Sequence, residues 1–257
     1  MSVIKDIYKY REFLKSNVKK EIRGKYKGSF LGVLWSFVNP LLTVLVYAIV
    51  FPFILRDSQP NFVTFLIIGI LPWTWFTTTI SQGTSSFVMN GSILKKVYFP
   101  REILPISIVT SGLVNFLISC LIIFLFVIFS GIGFSPYIVF LPLIILIQYI
   151  LMLGMILITG SVNVYVRDAE YIIGFFINLL FYATPILYST TLFPENVRWL
   201  FYLNPLTTIF NSYRDILFYH NLPNFNGLLI VFGFSLLLLL AGYAIYNKLQ
   251  KGFAEEL

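Results

Sequence analysis

Six apolar stretches, each near the ~20 residues that a helix needs to cross about 30 Å of hydrocarbon, constrain this chain more than any other feature. They are Leu31–Ile54, Phe62–Ser81, Ile103–Phe129, Tyr137–Val164, Tyr171–Tyr188 and Leu228–Tyr246, the fifth being the shortest. The composition agrees, because 58% of residues are hydrophobic and 11% charged, whereas soluble domains hold roughly 45–50% and about 25%. The expected fold is therefore an all-α integral membrane protein with six transmembrane helices, and residues 1–257 leave no room for a separate soluble module. Cys120 is the only cysteine, which excludes an internal disulfide; within LISCLIIF it reads as a small buried apolar side chain.

Lys and Arg are retained on the cytoplasmic side, so their distribution over the loops orients the spans. With the N-terminus inside, fifteen of the 18 fall on the cytoplasmic face, leaving Arg56, Arg198 and Arg214 outside. Both termini are thus expected in the cytoplasm. The net charge of +7 is mostly this topology signal rather than a nucleic-acid footprint.

Residues 1–27 are basic throughout and carry no apolar core of the ~7–15 residues found in a signal peptide. Ile4, Ile7, Leu14, Val18 and Ile22 recur at helical spacing, interrupted by Arg11, while Lys5, Lys9, Glu12, Lys15 and Lys19 take other faces. This pattern predicts an amphipathic helix in the membrane interface, with its basic side toward anionic headgroups. It serves as a positive-inside anchor, or also shapes a cytoplasmic entrance for an amphiphilic substrate.

Several functions lack their hardware. The only Gly-Lys pair, Gly24–Lys25, is followed by Tyr26, so no G-x-x-x-x-G-K-[ST] phosphate loop exists. None of the six stretches carries the Asp, Glu, Lys or Arg that mark proton relays. His220 is the only histidine, which removes a histidine-based metal cluster, and Glu195 and Asp215 show no paired-carboxylate spacing. A pump of this kind must draw its energy from a partner. A channel is disfavoured, since no charged or carbonyl-rich filter signature appears.

Thr190–Asn226 is too polar to span yet rich in Phe, Tyr, Leu and Trp. It predicts two short re-entrant helices at or within the outer interface, broken at Asn204–Pro205. Pro185 similarly interrupts the fifth span.

RGKYKGSFLGVLWSFVNPLLTVLVYAIVF, LPWTWF, ILKKVYFPREILP, NVYVRDAEYIIG, YATPILYS and YLNPLTTIFNSYRDILF follow one another along nearly the whole chain. Together they resemble the membrane (permease) subunits of ABC-2 type exporters for lipid-linked polysaccharides, the O-antigen, capsule and wall teichoic acid permeases. The resemblance implies a homodimer in the bacterial cytoplasmic membrane, bound to two copies of a separately encoded ATPase. ATP and Mg²⁺ would sit on that partner, and this chain would hold no cofactor. The cargo implied is an undecaprenyl-diphosphate-linked glycan moved outward. A sibling permease for a small amphiphile or drug is the runner-up reading.

By the same resemblance, residues 90–101 correspond to the coupling helix that docks on the ATPase. Ile93, Val97, Tyr98 and Phe99 are its expected apolar anchors, and Lys95, Lys96, Arg101 and Glu102 its charged rim. Pro100 is expected to end the helix and Pro105 to begin the third span. Arg167–Asp168 reads as a second touching point with the ATPase or the N-terminal helix, or as a local ion pair. Lys19, Lys20, Arg23, Lys25 and Lys27 form a candidate portal for a diphosphate headgroup. Sugars stack on aromatic faces, which makes Tyr47, Trp73, Trp75, Phe76, Tyr182 and Tyr188 candidates for the translocation path.

Overall fold

The computed structural model describes residue 5, residues 8–24, residue 30, residues 32–55 and residues 60–257; of residues 33, 36, 37 and 51–55 it gives the backbone only. Within them the chain is helical. α1 (Arg11–Gly24) precedes α2 (Trp35–Leu55), α3 (Phe62–Met89), the short α4 (Gly91–Lys96), α5 (Ile103–Phe129) and α6 (Leu141–Tyr165). α7 (Ala169–Ala183), α8 (Glu195–Tyr202), α9 (Pro205–Arg214), α10 (Phe225–Leu249) and the four-residue α11 (Phe253–Glu256) complete it.

α3 is the axle. From Thr64 to Trp73 every residue is buried, as befits a helix surrounded by other helices on all sides. α5 and α6 flank it, α2 lies against it, and α10 packs along α6 in the most extensive contact of the bundle. α1 rests against α5.

The seam between α6 and α10 depends on two glycines. A Cβ on Gly154 would stand 2.8 Å from the Leu239 nitrogen, and one on Gly242 would stand 2.6 Å from the Gly154 carbonyl oxygen. Close backbone approach of this kind substitutes for a hydrophobic drive that lipid does not supply.

Four helical stretches are long and apolar enough to cross a membrane: Phe62–Met89, Ile103–Phe129, Pro136–Tyr165 and Phe225–Glu256. The apolar helices Val38–Val50, within α2, and Ala169–Ala183 are shorter. Two expected boundaries move. α3 continues past Ser81 to Met89 because its polar last turns are satisfied internally. Thr84 Oγ1 pairs with Thr159 Oγ1 of α6 at 2.9 Å, and Asn163 Nδ2 donates to the Thr84 carbonyl at 3.1 Å. α7 stops at Ala183 rather than Tyr188, since Thr184 is extended, the conformation that a following proline favours.

Beyond that break, α8 and α9 form the expected pair of short helices divided at Asn204–Pro205. The Asn204 side chain caps α9 by accepting from the Leu206 nitrogen at 3.0 Å. α9 is the buried member, with Leu206–Phe210 and Ser212–Arg214 inside. It packs against α3, α6 and α10.

Candidate functional site

Ile70, Thr74, Thr77 and Ser81 of α3 recur at the i, i+4, i+7, i+11 spacing of a single helix face, which carries three hydroxyls. Together with Thr43 and Tyr47 of α2 and Gly174, Ile177, Asn178, Phe181 and Tyr182 of α7, they line an open groove of 560 Å³. Trp73 forms its wall and packs on Phe181 at 5.6 Å; Tyr47 and Tyr182 approach the same ring at 6.2 and 5.3 Å. Hydroxyls, an amide and aromatic faces side by side, in a helix trio, make a surface to which a polyhydroxy chain can bind. No charged residue lines it among the described residues.

Three of the six aromatic residues proposed for the path are therefore gathered here, and three are elsewhere. Trp75 stacks on Phe116 at 4.8 Å, and Phe76 is wholly buried. Each residue turns a helix by about 100°, which carries positions 75 and 76 away from the 70–74–77–81 face into the core. Tyr188 lies past the break, where its hydroxyl donates to the Tyr182 carbonyl at 2.7 Å and its ring packs on Phe193 and Phe201.

At one end of the bundle a second face assembles. α4 projects from α3 at Asn90, whose Nδ2 donates to the Ser86 carbonyl at 2.8 Å. The expected helix of residues 90–101 is only Gly91–Lys96, because the backbone becomes extended at Val97. Ile93, Lys95, Lys96, Val97 and Tyr98 are exposed, Tyr98 at 92%. Phe99 is corrected from surface anchor to core: it is 5% exposed and its ring packs, tilted, on Phe13 of α1 at 4.7 Å. Arg101 is half-buried and donates to the Gln250 carbonyl, and Glu102 marks the start of α5.

Arg167 and Asp168 stand exposed at the turn before α7. The ion pairs among the described residues are Arg11–Glu12, Lys15–Glu12 and Arg198–Glu195, so the reading of a local Arg167–Asp168 pair is withdrawn. Arg167 instead donates to the Glu256 carbonyl at 3.4 Å.

Of the candidate portal, Lys19 and Arg23 are exposed on α1, and Lys20 Nζ donates to Asn90 Oδ1 at 3.1 Å. Lys25 and Lys27 lie outside the described residues, as do Ile4 and Ile7. Leu14, Val18 and Ile22 are half-buried on one side of α1. Near its start, the hydrogen bond from Lys15 holds the Glu12 carboxyl below its ordinary range.

Sequence reasoning missed the residues that pin α9. Arg214, counted only as an outer-face cation, is 1% exposed. Its guanidinium donates to the carbonyls of Pro185, Ile186 and Tyr188 and lies 3.7 Å from the Phe65 ring centroid. Beside it, the Tyr213 hydroxyl donates to Gln148 Oε1 at 3.0 Å, and Gln148 Nε2 donates to the Pro72 carbonyl at 3.1 Å. Gln148 was the available signal: a lone amide inside an apolar span has to find partners.

A helical membrane protein with a polar, aromatic groove beside a buried helical hairpin, and a basic short helix at the other end, has the features of a transporter. The family model described as ABC-2 type transporter matches residues 12–218, and the chain belongs to that family. It is 36% identical over 257 residues to an O-antigen export system permease protein RfbA of Myxococcus xanthus, covering 99% of each chain. Two permeases of the same name from Klebsiella pneumoniae are 37% identical over 243 residues, covering 93% of this chain and 92% of theirs. The chain is therefore an ABC-2 type transporter membrane subunit.

Proposed function

We propose that this chain is the permease half of an ATP-driven exporter that moves undecaprenyl-diphosphate-linked polysaccharide of O-antigen type across the cytoplasmic membrane. The observation that carries this reading is the groove between α2, α3 and α7, whose uncharged hydroxyl, amide and aromatic lining suits a glycan and not an ion. The likeness to O-antigen export permeases, which runs along nearly the full chain, supports it. Two copies of the chain, each with six crossings and both termini inside, would enclose the path. α2 and α7 would be the crossings beyond the four longest helices.

Gly174 offers the test. It lines the groove, and a Cβ there meets nothing within 4 Å. Gly174→Trp is expected to fill the groove while leaving yield and ATPase binding intact, so export should be lost; Gly174→Ala should keep it. Undiminished export by the Trp variant would remove the groove from the path.

Energy would come from a separately encoded ATPase gripping the exposed α4 face. Purified alone, the chain is expected to release no phosphate from ATP, whereas the co-expressed pair should. Reversing charge at Lys95 and Lys96, or Tyr98→Ala, is expected to weaken the complex by about 2 kcal/mol, the usual cost of truncating a central anchor. Pull-down of the ATPase at constant permease level reads this directly. Unchanged recovery in all variants would make α4 an idle turn.

A further inference from the structure

The segment after α10 folds back beneath the bundle and touches both exposed features of that end. Phe253 is fully buried, its ring 5.0 Å from Phe87 and 6.3 Å from both Tyr165 and Tyr246. Arg101 holds the Gln250 carbonyl and places its guanidinium 5.8 Å from the Phe253 ring centroid. On the other side, the Tyr165 hydroxyl donates to the Leu249 carbonyl at 2.7 Å and Arg167 reaches the Glu256 carbonyl. Leu257 sits on α4 so closely that a Cβ on Gly91 would lie 3.3 Å from its own Cβ. A six-residue helix is too short to hold its shape alone, since isolated helices below about 12 residues are marginal. α4 therefore takes its orientation from what it packs against, and residues 250–257 supply part of that support.

We propose that residues 250–257 act as a clamp that joins α4 to the Arg167–Asp168 turn, so that the two move as one body when the ATPase pushes on either. The proposal rests on the exporter reading above. Phe253 is in this sense a positioning residue: it touches neither glycan nor nucleotide, yet it sets how the touching surfaces move together.

The 3.3 Å separation at Gly91 lies just under the about 3.5–4.5 Å between the Cβ atoms of a disulfide, so a small shift allows a direct experiment. Gly91→Cys with Leu257→Cys is made with the ATPase co-expressed, in cells that synthesise a lipid-linked O-polysaccharide, and everted membrane vesicles are oxidised with copper phenanthroline. Maleimide–polyethylene glycol labelling should show both new thiols consumed, with the buried Cys120 as an unchanging background. ATP-dependent movement of the glycan into the vesicle lumen should persist, since a bond inside one rigid body restrains nothing that has to move. A cross-link that abolishes movement, with recovery on reduction, would overturn the clamp, and so would thiols that remain free after oxidation.

Phe253→Ala provides the second arm. ATPase pull-down and hydrolysis should be retained while glycan moved per ATP falls by about tenfold, within the range of ordinary coupling free energies; Phe253→Leu should restore most of it. Unaltered transport per ATP in Phe253→Ala would also overturn the clamp. Parent vesicles that moved no glycan would instead sink the exporter reading, and the labelling would still decide whether the tail lies on α4.

Discussion

Arg214→Met is expected to lower the stability of the purified permease by about 3 kcal/mol or more, because hydrogen bonds from a charged group contribute about 1.5–3 kcal/mol each. Three carbonyls at the break after α7, those of Pro185, Ile186 and Tyr188, receive the guanidinium. Methionine fills a similar volume and donates nothing, so those oxygens would be left buried without partners. Lysine keeps the charge but loses the planar fork, and Arg214→Lys should fall between parent and Met. Gly69→Ala should act in the same direction, since its Cβ would stand 2.8 Å from Arg214 Nη2 and 3.0 Å from the Ile186 carbonyl oxygen. For a chain of this size the shift corresponds to a fall of about 6 °C or more in the midpoint of thermal unfolding. An unchanged midpoint for Arg214→Met would show that the break is held by other contacts, Phe193 and Phe201 around Tyr188 being the nearest.

The consequence for transport follows from position. Arg214 and Tyr213 are neighbours on α9, and between them they tie the α8–α9 hairpin to α3, α6 and the end of α7. α3 and α7 are two walls of the groove. Loosening α9 would loosen that pair, which predicts that Arg214 variants lose export in proportion to their loss of stability.

These residues also show where reading a sequence stops. Apolar length located every major helix, because membrane burial writes itself into long runs that a hydropathy window can see. Asn204–Pro205 and Pro185 marked the helix breaks for an equally local reason: proline restricts the residue before it and cannot join an interior helix bond. Tertiary burial is different. Arg214 looks like any outer-face cation until the carbonyls of residues 185–188 are brought to it across a gap of more than twenty residues. Phe99 and Tyr98 are neighbours in the sequence with opposite fates, because α1 covers one and leaves the other in the open. Trp73 and Trp75 divide similarly between groove and core, according to which face of α3 meets α7 and which meets α5. The polar end of α3 escaped the window altogether, since Thr84 finds its partners on α6.

Gly242→Val is expected to reduce the yield of folded permease most severely among single substitutions in the spans. The obstacle to its Cβ is the Gly154 carbonyl oxygen at 2.6 Å, with side-chain atoms of Leu157 and Ile158 at 3.3 Å. Backbone cannot swing aside as a side-chain tip does, so α6 and α10 would have to separate along the most extensive contact in the bundle. Overpacking typically costs about 1–3 kcal/mol and sometimes more, and here each added methyl must also find room against a wall of α6. Gly154→Val meets the Leu239 nitrogen at 2.8 Å and should fail for the same reason. Gly233 lies on the same helix with nothing within 4 Å of its Cβ, so Gly233→Ala should leave yield unchanged. Monodisperse protein recovered after solubilisation, normalised to total expression, separates the three. If Gly242→Val were recovered as well as Gly233→Ala, the α6–α10 seam would have slack that its geometry denies, and glycine there would owe its presence to something other than close approach.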